Sequence, residues 1–254
     1  MFAVGYCGST VGPGAFLLSG MSWRLLAIWV CLALASVAVG GESRAPDSLT
    51  AAMKAVWPKN RSLHFVFHGH SVPAGYHKTP RVRPFESYPL LAVERIQDAY
   101  PHAVINAIVT AIGGEDSVKG AARFEADVLS LRPDVIFIDY ALNDRRRPVT
   151  EVEQAWRSMA RAAKAKGVPV VFVTPTGAED VRIDAPDEAL EIRAEIIRRV
   201  AREEAVPVAD VWAAWKAELK RGVKQESLLS QVNHPNRAGH EIAARTIAGF
   251  FGVD

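Results

Sequence analysis

Five short apolar runs recur along this chain and limit the folds it can adopt. They span Leu63–Phe67, Val104–Val109, Val135–Ile138, Val168–Val173 and Val206–Val208. Each run is continuous and rich in valine, isoleucine or phenylalanine, whereas a strand with one wet face would alternate apolar and polar residues. Continuous runs of this length are typical of parallel strands that are buried on both faces.

Segments with helical periodicity lie between these runs. In the clearest one, Thr150 and Glu153 predict a capping box and Gly167 predicts the stop. Other helices are predicted over Leu49–Trp57, Tyr88–Ala99, Val118–Leu131, from near Asp184 and Pro186 to Ala201, and over Val211–Arg221 and Arg237–Phe250. The alternation predicts an α/β fold: a three-layer α/β/α sandwich around a flavodoxin-like, five-stranded parallel sheet of order 2-1-3-4-5.

Composition fits one globular domain with an amino-terminal extension. The 254 residues are 49% hydrophobic and 23% charged, and the formal net charge is +2. Because the two signs of charge are interspersed, the chain has no electrostatic footprint of a nucleic-acid-binding protein. Composition therefore argues against a nucleic-acid partner and leaves a small-molecule or polysaccharide partner open.

The first forty residues have the pattern of a secretory signal peptide. A short positive start at Met21–Arg24 precedes the uncharged apolar run Leu25–Val39 and a small-residue cleavage site. Met21 is therefore the expected start codon. The run is shorter than the roughly 20 residues of a spanning helix, so we expect a secreted or periplasmic protein with no membrane span in the mature chain, and an uncleaved anchor is the alternative.

We accordingly divide the chain into a signal peptide at 1–40, a linker with a short helix at 41–60, and the main folded domain at 61–254. Both cysteines, Cys7 and Cys31, fall in the signal segment. A cleaved chain would contain no disulfide, so its stability would come from the core.

Polar residues follow the predicted strands at the points where they end. Ser71 follows the first strand, Gly113-Gly114-Glu115-Asp116 the second and Asn143-Asp144 the third, while His234 comes just before the last helix. Ligands of open α/β sheets bind at the carboxyl ends of the strands, and loops there hold functional groups against a rigid base. A serine with a histidine base and amide donors is the set that acyl transfer requires.

The order Gly69-His70-Ser71, Gly114, Asn143-Asp144 and His234-Pro235-Asn236 resembles the four blocks of the SGNH, or GDSL-type, serine hydrolase family, from about Leu63 to Phe250. The resemblance implies the SGNH hydrolase fold and ester hydrolysis without a metal or organic cofactor. It makes Ser71 the nucleophile and His234 the general base. The N–H groups of Ser71 and Gly114 and the side-chain amide of Asn143 would form the oxyanion hole, with Gly113 as the neighbouring alternative to Gly114.

Two positions depart from the family pattern. His70 stands where the family usually has aspartate, a packing and hydrogen-bonding residue. Gln231 stands three residues before the base, where the family has the acid that orients the histidine. An amide cannot stabilise imidazolium by charge, and in serine proteases replacing the acid by its amide costs about 10⁴ in turnover. A Ser-His dyad, a slow enzyme, a backbone carbonyl and another acid, such as Asp144 or Glu226, are the alternatives.

A metal site is the other chemistry that the sequence suggests. His64, His68 and His70 alternate, so they are predicted to share one face of the first strand. No Asp, Glu or Cys completes a ligand set at the usual spacing, and we interpret His64 and His68 as structural residues with backbone partners.

The sequence thus predicts a serine esterase that acts through an acyl-enzyme, with acetate on a carbohydrate as the expected ester. A lipase, lysophospholipase or thioesterase of the same fold is the enzyme alternative. A carbohydrate-binding relative that has lost the reaction is the alternative that Gln231 raises.

Overall fold

The computed structural model describes Gly8, residues 44–185 and residues 188–253. Apart from Gly8, the predicted signal segment lies outside the described residues. The same is true of Pro186, near which one helix was expected to begin.

The sheet has five parallel strands in the order β2-β1-β3-β4-β5, which confirms the predicted topology. The strands are β1 (Ser62–Gly69), β2 (Val104–Val109), β3 (Val135–Asp139), β4 (Val170–Val173) and β5 (Val208–Ala209). In register, Phe67 of β1 lies between Val109 and Phe137. All of the strands therefore end at one edge of the sheet, where the loops that carry Ser71, Gly114 and Asn143 begin.

Two strands begin later than their apolar runs. The amide of Val168 bonds to the carbonyl of Ala163, and that of Val206 bonds to Ala201. Both valines therefore close the preceding helix instead of joining the sheet. The apolar runs contain these positions because the closing turns are also packed against the core.

Eight α-helices are described. They are α1 (Asp47–Lys54), α2 (Tyr88–Ala99), α3 (Ser117–Asp127), α4 (Ala141–Asp144), α5 (Val149–Ala165), α6 (Ala189–Glu203), α7 (Val211–Lys220) and α8 (Arg237–Gly249). Short 3₁₀ turns occupy Pro84–Glu86, Leu129–Leu131 and Gln225–Leu228. None of the described helices combines the length and hydropathy that a membrane span requires.

Two apolar cores lie on opposite faces of the sheet. Phe65 and Phe67 of β1 point into one core, with residues of α1, α2, α7 and α8, while Val66 points into the other, with residues of α3, α5 and α6. Because successive strand residues face opposite sides, a strand buried on both sides must be apolar at every position. This is the physical origin of the continuous runs in the sequence.

Two helix starts differ from the expectation. Helix α5 begins at Val149 after Pro148 and has no side-chain cap, so the predicted capping box of Thr150 and Glu153 is wrong. Thr150 lies inside the first turn because Pro148 already supplies the extended residue before the helix. Helix α6 begins at Ala189, where the side chain of Glu188 accepts a hydrogen bond from the amide of Leu190.

A small antiparallel hairpin near the carboxyl terminus had no counterpart in the sequence prediction. It pairs β6 (Leu229–Gln231) with β7 (His234–Pro235). Helix α8 follows at once, and the side chain of Asn236 caps it by accepting from the amide of Gly239 at 3.2 Å. The hairpin therefore fixes both Gln231 and His234 on a rigid element.

Packing of α3 against the end of β3 provides a test of the fold. A methyl group on Gly120 would overlap the ring of Tyr140, whereas one on Gly249, another helical glycine, would meet open space. We expect Gly120→Ala to lower the free energy of unfolding by about 1–3 kcal/mol through overpacking. Gly249→Ala should leave it unchanged or raise it by about 0.4–1 kcal/mol. Urea denaturation of both variants checks this, and equal stabilities would contradict the packing.

Candidate active site

Ser71 lies in the turn that follows β1, two residues after Gly69, and is 6% exposed. The turn is tight: a Cβ atom on Gly69 would collide with the carbonyl of Asp139 in the neighbouring strand. The carbonyl of Ser71 accepts from the amide of Tyr76 at 3.0 Å. Glycine at 69 thus lets the chain turn closely over the sheet edge and holds the hydroxyl group of Ser71 at the carboxyl end of β1.

His234 reaches this hydroxyl from the other end of the chain. Its Nε2 lies 3.0 Å from Oγ of Ser71, and the side chain is 8% exposed. The ring of Tyr76 lies beside that of His234, with 5.8 Å between the ring centroids. The serine and histidine are therefore within hydrogen-bond distance, as proton transfer between them requires.

The far nitrogen of His234 has two neighbours, and neither is a carboxylate. Nδ1 lies 3.0 Å from the backbone carbonyl of His77 and 3.1 Å from Nε2 of Gln231. The carboxamide of Gln231 also makes two hydrogen bonds to Thr79. Its Oε1 accepts from the backbone amide at 2.8 Å, and its Nε2 donates to Oγ1 at 2.9 Å.

The two acids considered as orienting groups lie elsewhere. Asp144 is fully buried, and its carboxylate accepts from the amide of Ser117 at 2.8 Å and from Nε1 of Trp156 at 2.9 Å. Burial raises its pKa, against the opposing effect of these hydrogen bonds. Glu226 is exposed in the 3₁₀ turn Gln225–Leu228. Asp144 and Glu226 were wrong candidates, because Asp144 joins α3 to α5 and Glu226 points to solvent.

Burial lowers the pKa of His234 below its ordinary value. The hydrogen bond to the carbonyl of His77 acts in the opposite direction, and the imidazoles of His70 and His77 lower the pKa further when they are charged. The ring is therefore neutral at neutral pH, the state in which it can accept a proton.

The predicted oxyanion donors Gly114 and Asn143 follow β2 and β3, respectively. Gly114 is exposed and has a left-handed backbone, with φ of +76°, and a Cβ atom there would meet nothing. Gly113 instead packs against the ring of Tyr76, 2.9 Å from the position of a Cβ atom. Asn143 lies in α4, where its Nδ2 donates to the carbonyl of Glu115 at 2.8 Å. Gly114 therefore has open space where a side chain would lie, whereas Gly113 is packed against Tyr76.

Two buried polar residues under the site, Asp139 and Tyr88, were not singled out by the sequence analysis. Nε2 of His70 lies 3.3 Å from Oδ1 of Asp139, whose Oδ2 accepts from the hydroxyl of Tyr88 at 3.0 Å. Nδ1 of His70 accepts from the amide of Val72 at 3.2 Å. His70 therefore ties the nucleophile turn to the ends of β3 and α2. The sequence did offer a signal for this group: Asp139 is a charged residue at the end of the otherwise apolar strand β3.

His64, His68 and His70 do not share one face, so that prediction is wrong. His68 contacts the rings of Phe124 and Tyr140 on the α3 side of the sheet, whereas His70 meets Asp139 on the α2 side. The chain turns after Gly69, and strand alternation ends there.

His64 and His68 both have backbone partners, the carbonyls of Leu131 at 2.8 Å and Gly120 at 3.1 Å. Burial and the charge of Arg123 lower the pKa of His68 to about 4. Among the described residues, no three His, Cys, Asp or Glu side chains are grouped so that they can hold a metal ion.

Comparisons with known proteins agree with this architecture. The chain matches the model of the GDSL-like Lipase/Acylhydrolase family over residues 67–242. An acetylxylan esterase of Geobacillus stearothermophilus is 25% identical over 179 residues, which cover 66% of this chain and 81% of that protein.

Two solved structures share the fold. A catalytic mutant of Axe2, an acetylxylan esterase from Geobacillus stearothermophilus, has a TM-score of 0.67 at 21% identity over 79% of this chain and 97% of that one. A two-domain esterase active on acetylated mannans has a TM-score of 0.62 at 23% identity over 80% of this chain and 50% of that one. Since the family model matches well over half of a chain that also has the SGNH hydrolase fold, the protein belongs to the GDSL-like lipase/acylhydrolase family and is an ester-hydrolysing enzyme.

Proposed function

We propose that this esterase removes acetyl groups from a carbohydrate through an acyl-enzyme formed on Ser71. The observation that carries the proposal is the 3.0 Å separation between Oγ of Ser71 and Nε2 of His234. The two residues lie on rigid elements, the turn after β1 and the hairpin before α8. A nucleophile held against its base is the arrangement that serine acyl transfer needs.

In this mechanism, Nε2 of His234 accepts the proton of Ser71 while Oγ attacks the carbonyl carbon of the ester. The developing oxyanion is bound by the N–H groups of Ser71 and Gly114 and by the second amide hydrogen of Asn143. Collapse of the intermediate breaks the ester bond, and His234 protonates the departing alcohol. Water then repeats the sequence on the acyl-enzyme, which releases acetate and restores Ser71.

Published catalytic mutants of Axe2 support the assignment of Ser71 and His234. They replace a serine, a histidine, and an aspartate three residues before that histidine. This chain has a serine and a histidine in the same order, with Gln231 at the three-residue spacing. The choice of acetyl carbohydrate is supported by the names of the relatives, an acetylxylan esterase and an esterase active on acetylated mannans.

We also propose that residues 1–40 direct export, so that the enzyme acts in the periplasm or outside the cell. The supporting pattern is the positive start after Met21, followed by the apolar run to Val39. Acetylated polysaccharides are substrates that an exported enzyme meets. Amino-terminal sequencing of the mature protein tests this proposal: a terminus near Gly41 is expected, and retention of residues 1–40 in a cytoplasmic protein would overturn it.

The nucleophile is tested by covalent labelling. A fluorophosphonate probe should label the folded wild type, and Ser71→Ala should abolish both labelling and hydrolysis of 4-nitrophenyl acetate. Ser130→Ala, in the exposed 3₁₀ turn Leu129–Leu131, is the matched control and should keep both. Persistent labelling of Ser71→Ala, or a folded wild type with neither labelling nor ester hydrolysis, would refute the proposal.

The acyl group is tested with matched esters. On 4-nitrophenyl acetate, butyrate and octanoate, we expect kcat/KM to be highest for acetate and to fall as the chain lengthens. Acetylated xylan should release acetate in the same preparation. A much higher kcat/KM for octanoate would instead place the enzyme with the lipases or thioesterases, the alternative within the same fold.

A further inference from the structure

We infer that the backbone carbonyl of His77 is the group that orients His234, and that Gln231 and Thr79 are positioning residues that hold this carbonyl in place. The inference rests on the proposed roles of Ser71 and His234. The loop between Tyr76 and Arg83, which we call the orienting loop, would then orient the ring of His234 in place of the acid that the family pattern has at position 231.

The proton on His234 decides whether the ring can act as a base. If Nδ1 carries the hydrogen, Nδ1 donates to the carbonyl of His77 at 3.0 Å, and Nε2 is free to accept from Ser71. If Nε2 carries the hydrogen, Nε2 donates to Ser71, and Nδ1 accepts from the amide of Gln231 at 3.1 Å. Only the first tautomer is active, and only the carbonyl of His77 favours it, because a carbonyl accepts and never donates.

The orientation of the Gln231 carboxamide is fixed by Thr79. The backbone N–H of Thr79 donates to Oε1 at 2.8 Å, so the opposite side of the carboxamide must be the NH₂ group. That group donates to Oγ1 of Thr79 at 2.9 Å. A rotated amide would set two donors against each other at the Thr79 backbone. Gln231 therefore presents a nitrogen, not an oxygen, to His234, and it cannot replace the acid directly.

The same two hydrogen bonds attach the orienting loop to the hairpin. Within the loop, the amide of His77 donates to the carbonyl of Arg81 at 3.0 Å, and the amide of Arg83 donates to that of Gly75 at 2.7 Å. These bonds shape the loop without tying it to β6. The link to the hairpin comes from the side chain of Gln231, which makes both hydrogen bonds to Thr79. Thr79 lies two residues after His77, whose carbonyl faces His234. Losing either of these hydrogen bonds should let the carbonyl of His77 move relative to His234.

Within residues 44–185 and 188–253, no carboxylate contacts His234 to offset the charge that the ring acquires during the reaction. The groups that face it are Ser71 and His70 from the turn after β1, Tyr76 and His77 from the orienting loop, and Gln231 from β6, while His240 lies behind it on α8. All are neutral or potentially positive. The protonated ring is stabilised by a carbonyl dipole alone, so the enzyme should remain active at a pH below the ordinary pKa of histidine.

Paired variants test the loop on 4-nitrophenyl acetate. Thr79→Val keeps the shape of the side chain and loses the hydroxyl group, whereas Thr79→Ser keeps the hydroxyl group. We expect Thr79→Val to lower kcat by about fivefold to tenfold with little change in KM, since it removes one of the two hydrogen bonds between Thr79 and Gln231. Thr79→Ser should retain most of the wild-type kcat. Wild-type kcat for Thr79→Val would overturn the inference.

Gln231→Glu tests the contact between residue 231 and Nδ1 of His234 by placing a negative charge there. A glutamate of the same length can accept from the backbone amide of Thr79, from its rotated hydroxyl and from Nδ1 of His234. We expect the pKa of His234 to rise, so the acid limb of the kcat profile should move to higher pH, with higher turnover above it. The side chain in Gln231→Asp is one methylene group shorter, so it should lose the hydrogen bonds to Thr79. An unmoved acid limb in Gln231→Glu would contradict the assigned contact.

Nuclear magnetic resonance reports on the loop without any substrate. Nitrogen-15 shifts of His234 in the wild type should show the Nδ1–H tautomer, and Thr79→Val should shift the ring toward the Nε2–H form. A wild type in the Nε2–H form would overturn the inference even if the enzyme is active. If His234 is in the Nδ1–H form but the protein hydrolyses no ester, the inferred role of the orienting loop is supported. The proposed function is then refuted instead.

Discussion

The contact between Ser71 and His234 is the interaction on which the rest of the site depends. It joins residues 163 positions apart in the chain. One partner is fixed by the turn over β3 that Gly69 permits, and the other by a hairpin that leads directly into α8. Because α8 shares an apolar core with β1, the packing of this core sets the distance between nucleophile and base.

Buried polar groups beneath this contact connect the loops of the site to the sheet. His70, Asp139 and Tyr88 connect the nucleophile turn to β3 and α2. On the other face, Tyr140 donates to Glu115 at 2.9 Å, and Glu115 is paired with Arg123. Unpaired polar groups are costly in a buried environment, so these networks fix the loops that carry Gly114 and Asn143.

The loss of the orienting acid changes how the base is held rather than where it lies. A carboxylate stabilises imidazolium through its charge, while a carbonyl does so through a weaker dipole. The two-residue arrangement of Gln231 and Thr79 makes base orientation a property of a surface loop.

The sequence by itself determined the layered fold, because strands buried on both faces need apolar residues at every position and the helices between them need period 3.6. It also predicted that Ser71, Gly114 and Asn143 follow strand ends at one edge, since parallel strands end together, and the family resemblance added His234. It did not determine the partner of the far nitrogen of His234. That partner is a backbone carbonyl, which every residue has, so no side-chain pattern marks it. Only the tertiary structure, by folding the orienting loop against the β6–β7 hairpin, decided that His77 fills the place where an acid was expected.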